Sequence, residues 1–162
     1  MIFIDIGSCV GLFIDEIIKK YDNSEISEIH SFEPHKENFN FLIDKYKKNK
    51  KIIINNFAIS NKNGEFKFYK KNYNGKYDFA GNAGSSLKKN KRNIDQTKYD
   101  LVTVIKISEY IFKNNLNKIE LIKIDTEGSE YDIIFDIFES NLLDRINKIY
   151  FEDHSPKINL DH

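Results

Sequence analysis

Ile2-Phe3-Ile4 opens the chain as adjacent apolar side chains, reaches Asp5, and breaks at a turn carrying Gly7 and Gly11. A continuous apolar run bounded by glycine predicts a strand buried on both faces. Beyond it, Leu12, Phe13, Ile14, Ile17 and Ile18 fall at helical spacing, so a helix is predicted from about Gly11 to Tyr21, stopped by the polar turn Asp22-Asn23-Ser24. Ile29 and Phe32 anchor a second strand that stops at Glu33, because Pro34 has no N–H for a ladder and suits the first turn of a helix. Phe39, Leu42, Ile43 and Tyr46 recur at spacings of three and four, which predicts an amphipathic helix over 35–48. The lysines of 47–51 then fall where cations favour a helix C-terminus.

The run from Ile52 to Ile59 reads as a third strand, and Glu65 to Tyr69 alternates like an edge strand. From about 70 to 100 the pattern dissolves into Lys, Asn, Gly, Tyr and Asp, with Gly84-Ser85-Ser86-Leu87 as its one shaped segment. A loop of that length in a compact domain is disordered or functional; it is read as part of a lid-like insertion over 60–106. The basic patch from Lys88 to Arg92 is read as solvated loop. Strand character returns at Leu101 to Ile105, and Ile107 to Leu116 suits a short helix. Ile119 to Asp125 is a further buried strand, Tyr131, Ile134, Phe135 and Phe138 mark another amphipathic helix, and Ile146 to Phe151 is the last strand, closing on Glu152-Asp153-His154. Five sheet strands alternating with helices predict an α/β fold with a mostly parallel sheet.

Composition narrows this without redirecting it. The 162 residues suit a single domain, 1–162, whose core needs no staples. Lys+Arg and Asp+Glu both total 25, and a neutral chain argues against a nucleic-acid partner held by bulk charge. Cys9, the single cysteine, has no disulfide partner within the chain and fits a reducing compartment. Met1 leads into the first strand with no basic n-region. No apolar run approaches the roughly 18–20 residues that span a bilayer. The expectation is a soluble, cytoplasmic protein that uses neither membrane nor nucleic acid.

The chemistry collects where strands end. Asp5, Glu33, Asn55-Asn56 and Asp125 close four buried strands, and Glu152 closes the fifth. In open α/β sheets ligands bind at the carboxyl ends of strands, and a carboxylate at the end of the second strand is placed to accept hydrogen bonds from a ribose diol. Glu33 is that carboxylate. The turn Gly7-Ser8-Cys9-Val10-Gly11 lets backbone approach a ligand, but it lacks the G-x-G-x-x-G spacing of a dinucleotide site and the G-x-x-x-x-G-K-[ST] of a P-loop. Nicotinamide-dependent oxidation is therefore disfavoured. Asp5 beside the turn repels a pyrophosphate and attracts an ammonium or sulfonium. An adenosine cofactor with positive charge and no phosphate, S-adenosylmethionine, fits best.

Six segments carry a resemblance: Phe3 to Gly11, Phe32-Glu33-Pro34, Asn56 to Ser60, Gly84 to Leu87, Leu121 to Glu130, and Phe151 to His154. In that order, over nearly the whole chain, they resemble the FkbM family of S-adenosylmethionine-dependent methyltransferases, and the segment through Glu130 is the most specific. The resemblance implies a Rossmann-like class I methyltransferase three-layer sandwich, here lacking its last two strands. It implies that Asp5, Gly7, Ser8 and Gly11 line the methionine and ribose part of the site, and that Glu33, with Pro34, holds the ribose. Asn56, Phe57 and Ala58 lie near the adenine, Ser86 joins the cofactor set, and Asp125 faces both sulfonium and acceptor, with Glu127 and Glu130 supporting that loop. Where the family tends to carry a Leu-Asp pair before its extra helix, this chain has Ile107-Ser108.

The implied reaction is O-methylation of a hydroxyl on a sugar, glycan or secondary metabolite. An unactivated hydroxyl needs a base within hydrogen-bond reach. His154 is the best by intrinsic pKa, with Asp125 and Glu127 as alternatives. Asp125, Glu127 and Glu152 offer oxygen ligands to a hard cation, but nothing in their spacing requires a metal and none is assigned. The alternative from another class is a truncated, non-catalytic methyltransferase-like protein that binds a nucleoside or a partner chain. A shortened sheet also leaves an edge through which a homo-oligomer could form.

Overall fold

The computed structural model describes residues 1–72 and 83–158. The elements run β1 (Ile2–Ile6), α1 (Leu12–Lys20), β2 (Glu28–Phe32), α2 (Lys36–Tyr46), β3 (Ile52–Asn55), β4 (Ala58–Ser60), β5 (Gly64–Lys71), β6 (Ile94–Lys106), α3 (Ile107–Lys113), β7 (Ile119–Ile124), α4 (Glu130–Glu139) and β8 (Ile149–Phe151). Five strands form one sheet in the order β3-β2-β1-β7-β8, every neighbouring pair parallel. This is the α/β class with a parallel sheet. β1 lies at its centre because its side chains are apolar on both faces.

Alternation along the strands splits the core into two layers. Phe3 and Ile29 pack with Ile14, Ile17 and Leu42 beneath α1 and α2. Ile4, Ile6, Phe32, Ile122 and Ile124 pack with Ile107, Ile111, Ile133 and Ile137 beneath α3 and α4. The same alternation puts Asp5 on the Phe3 face, and the register sets Ser31 on one side of it and Lys123 on the other. A polar row thus crosses three central strands at the carboxyl end of the sheet.

Three expectations change here. The segment 52–59 is not one strand: β3 stays in the main sheet, while β4 leaves it after Asn56-Phe57 to pair with β6. The pattern-free stretch to 100 is not all loop, because β6 begins at Ile94 and pairs antiparallel with β5 in a second sheet ordered β4-β6-β5. Most of β6 from Gln96 to Leu101 is exposed, so it shows no apolar face to a periodicity reading. Backbone pairing and contacts such as Lys67 over the Tyr99 ring, at 4.1 Å, hold it instead. The basic patch is not wholly solvated either, since Lys91 is 6% exposed. Residues 73–82 of the lid-like insertion lie outside the described residues.

Candidate active site

Because the sheet is parallel, its strand ends share one edge, and backbone hydrogen bonds stitch them in sequence. Glu33 N–H donates to Asn55 O, Gly7 N–H to Phe32 O, Asp125 N–H to Ile6 O and Glu152 N–H to Ile124 O, all at 3.0–3.1 Å. Gly7 is held closest. It has φ +80°, and a Cβ there would fall onto the carbonyl of Asp125, so only glycine lets these two strand ends meet.

Asp5 lies fully buried below this turn. Lys123 Nζ reaches over it, 3.4 Å from Asp5 Oδ1, 3.3 Å from Asp125 Oδ2 and donating to Gly7 O at 3.0 Å. Neither carboxylate oxygen of Asp5 receives a hydrogen bond, so burial raises its pKa and Lys123 opposes that only in part. Ser31 donates to Ser8 Oγ at 2.7 Å, and Ser8 in turn donates to the Asp5 carbonyl at 3.0 Å.

Glu33, at the end of β2, is 5% exposed and accepts Cys9 N–H on Oε2 at 2.8 Å and His35 N–H on Oε1 at 2.7 Å. Burial outweighs these bonds and pushes its pKa up to about 7. Burial and then Glu33 push Cys9 up to about 11, so its sulfur stays a thiol at neutral pH and is no nucleophile.

After β7, Glu127 takes φ 57° and Gly128 φ 125°, a sharp loop built around one carboxylate. Glu130 Oε1 accepts Thr126 N–H at 2.9 Å, Gly128 N–H at 3.1 Å and the Thr126 hydroxyl at 3.2 Å. His154 packs against the same acid, Nδ1 to Glu130 Oε1 at 3.1 Å, while its Nε2 lies 3.2 Å from Glu152 Oε1 and 3.3 Å from Glu127 Oε2. Burial works to raise the Glu127 pKa, but Lys91 at 2.9 Å holds it below the usual carboxylate range. Lys91 also donates to Gly84 O at 2.7 Å, and Ser86 Oγ donates to Glu127 O at 2.6 Å. The segment 84–87 is thereby pinned against the β7 loop.

Between these groups lies a cavity with about 640 Å³ of empty volume, part of it open to solvent. Phe32, Phe57, Ala58, Phe68 and Leu87 form its apolar wall, and Glu33, Asp125, Glu127 and Ser129 are among its polar groups. Ser129 Oγ is buried with no hydrogen-bond partner.

Of the residues singled out from sequence, Gly7, Glu33, Pro34, Phe57, Ala58, Asp125 and Glu127 line this cavity. Asp5 and Ser8 lie beneath its floor. Gly11 begins α1 and packs on Tyr46, whose hydroxyl donates to Gly11 O at 2.8 Å. Asn56 is exposed, its amide donating to the Glu33 and Pro34 carbonyls at 2.9 and 3.1 Å. Ser86 is fully buried behind its neighbours, and His154, 1% exposed, stands behind Glu127 and Glu130 with both ring nitrogens facing carboxylates. Sequence reasoning missed Lys123 and Lys91. The signal for Lys123 was present: a lysine within an otherwise apolar buried strand needs a carboxylate partner, and Asp5 shares its face and register.

No curated protein matches the chain. The crystal structure of methyltransferase FkbM from Methylobacillus flagellatus KT shares its fold, with TM-score 0.55 and 16% identity. That match covers 85% of this chain and 29% of the other, so the chain spans about three-tenths of that protein's length. The model of the methyltransferase FkbM domain matches residues 5–161, and on that match, over nearly its whole length, the chain belongs to the FkbM methyltransferase family.

Proposed function

We propose that the chain binds S-adenosylmethionine in the cavity between Glu33 and Asp125 and methylates a hydroxyl group of a sugar, glycan or secondary metabolite. The carrying observation is the cavity itself: an apolar, aromatic wall with a buried carboxylate at the β2 end and two more carboxylates at the β7 end. The residues fit such a cofactor. Phe57, Ala58 and Phe32 offer an apolar surface to a purine, and Glu33, once ionised, is placed to accept from the ribose beside its Cys9, His35 and Asn38 donors.

When bound, the cofactor supplies an electrophilic methyl on a sulfonium. This chain's part is to hold that charge near Asp125 and Glu127, keep water out with the 84–87 segment, and position the acceptor oxygen in line. Asp125 lines the cavity and is the carboxylate best placed to take the hydroxyl proton. Glu127 is committed to Lys91, and His154 acts from behind, fixing Glu127 and Glu130. Cys9, protonated and without a disulfide partner, fits a cytoplasmic setting.

Titration calorimetry with S-adenosylmethionine tests the binding half, and mass spectrometry of hydroxyl-bearing glycans incubated with methyl-labelled cofactor tests the transfer. Saturable binding with labelled product is expected. No heat at millimolar ligand refutes the reading, and binding with no transfer to any acceptor leaves a nucleoside-binding protein.

A further inference from the structure

Behind the cavity, three carboxylates crowd one imidazole. Glu130 faces His154 Nδ1, and Glu127 and Glu152 face Nε2, at 3.1–3.3 Å. Lys91 pairs with Glu127, and Lys123 pairs with Asp125.

Glu130 adds the independent observation. It is 1% exposed, its Oε1 already accepts three donors from residues 126–128, and its Oε2 is buried with no hydrogen-bond partner. Buried carboxylate oxygens are ordinarily satisfied. One ligand atom from each of Asp125, Glu130 and His154 lies within 4.8 Å of the others. With metal–ligand bonds of about 2.0–2.2 Å, neighbouring donors of a tetrahedral or octahedral ion sit about 3.0–3.5 Å apart, so small shifts suffice to close this set.

The geometry points to a divalent metal site formed by Asp125, Glu130 and His154, behind the cavity and reaching it at Asp125. One imidazole with two carboxylates selects a first-row transition ion such as Mn²⁺ or Zn²⁺ over Ca²⁺, which takes oxygen ligands only. The ion would sit against the buried Glu130 carboxylate, whose Oε2 has no hydrogen-bond partner of its own. Asp125, which also lines the cavity, is its outermost ligand. The site is argued from geometry alone, and with the ion bound Asp125 is a ligand rather than the free base of the proposed reading.

The test uses the full chain stripped with chelator, with no nucleoside present. Mn²⁺ binding is followed by electron paramagnetic resonance, and the histidine ring protons by NMR. Saturable one-to-one binding is expected, with selective broadening of the His154 ring signals. Affinity should fall at least tenfold in Asp125→Asn and stay unchanged in Asp132→Asn, an acid paired with Lys88 outside the set. No saturable binding of Mn²⁺ or Zn²⁺ up to millimolar concentration overturns the proposal. So does a smaller loss in Asp125→Asn, or a His154 ring signal that Mn²⁺ leaves sharp. The NMR measurement needs no variant and stands even if a substitution impairs folding.

Discussion

Glu33 is the most exacting place to challenge the proposed site. Its pKa of about 7 lies above the ordinary 4.5 because burial penalises the charged form more than the Cys9 and His35 N–H groups stabilise it. A proton retained in the folded state contributes stability below about pH 4.5 and loses it as pH rises through about 7. By pH 8 the ionised group costs about 3 kcal/mol relative to an unperturbed acid. A ligand that donates two ribose hydroxyls to the ionised carboxylate offsets that cost, so its binding requires loss of the proton. Ionised Glu33 is about nine-tenths of the total at pH 8 and about one-tenth at pH 6, which makes the Kd about tenfold weaker at pH 6, or about 1.4 kcal/mol. Methylthioadenosine is the probe of choice, since it has the ribose and adenine but no amino or carboxyl group to titrate in this range. Calorimetry from pH 5.5 to 8.5 should give a Kd that weakens below pH 7 and flattens above it. Glu33→Gln should bind more weakly at pH 8 and show no such slope. A flat wild-type profile, or the same slope surviving in Glu33→Gln, refutes the assignment of Glu33 to the ribose.

Two further predictions concern the floor and the turn. Lys123→Met leaves Asp5 fully buried without its counter-charge, and urea unfolding at pH 7 should show a loss of about 3–5 kcal/mol. Because burial raises the Asp5 pKa, that variant should regain stability on acidification. Adding Asp5→Asn should restore most of the loss, and a double variant no more stable than Lys123→Met alone shows that the pair is not the cause. Gly7→Ala forces a side chain into φ +80° against the Asp125 carbonyl and should cost about 3 kcal/mol or more. A melting temperature equal to the wild type's shows that the two strand ends can separate.

Local rules made the centre of the sheet legible. Ile2 to Ile4, the Gly7 to Gly11 turn and the apolar spacing of Leu42 and Tyr46 each had only one consistent reading, and Glu33 and Asp125 followed as strand-end acids. The second sheet was illegible for the opposite reason. β6 is mostly exposed and is held by pairing with β5, a non-local partner that periodicity cannot see. The break of 52–59 is likewise tertiary, since β4 leaves the main sheet to pair with a strand some forty residues further on. Lys91 misled because sequence shows the chemistry of a side chain but not its burial. A lysine in a basic run looks solvated, yet it is sealed against Glu127, and His154, singled out as a base, is buried beside it.

Sealing Lys91 against Glu127 gives the cavity a gradient that no single residue supplies. At the β2 end, Glu33 has backbone donors but, among the described residues, no ammonium in an ion pair with it, and its pKa rises to about 7. At the β7 end, Lys91 holds Glu127 below the usual carboxylate range despite its burial. Two carboxylates on one cavity are thus pushed in opposite directions by the same physics, burial against pairing. The β2 end prefers neutral groups that donate hydrogen bonds, and the β7 end keeps negative charge facing the cavity. In the proposed reading a ribose diol meets the first and a sulfonium the second. Reversing the ligand would set positive charge against Glu33, whose carboxyl keeps its proton to higher pH, and leave charged Glu127 facing an apolar purine, so the opposite shifts of the two acids support the proposed orientation.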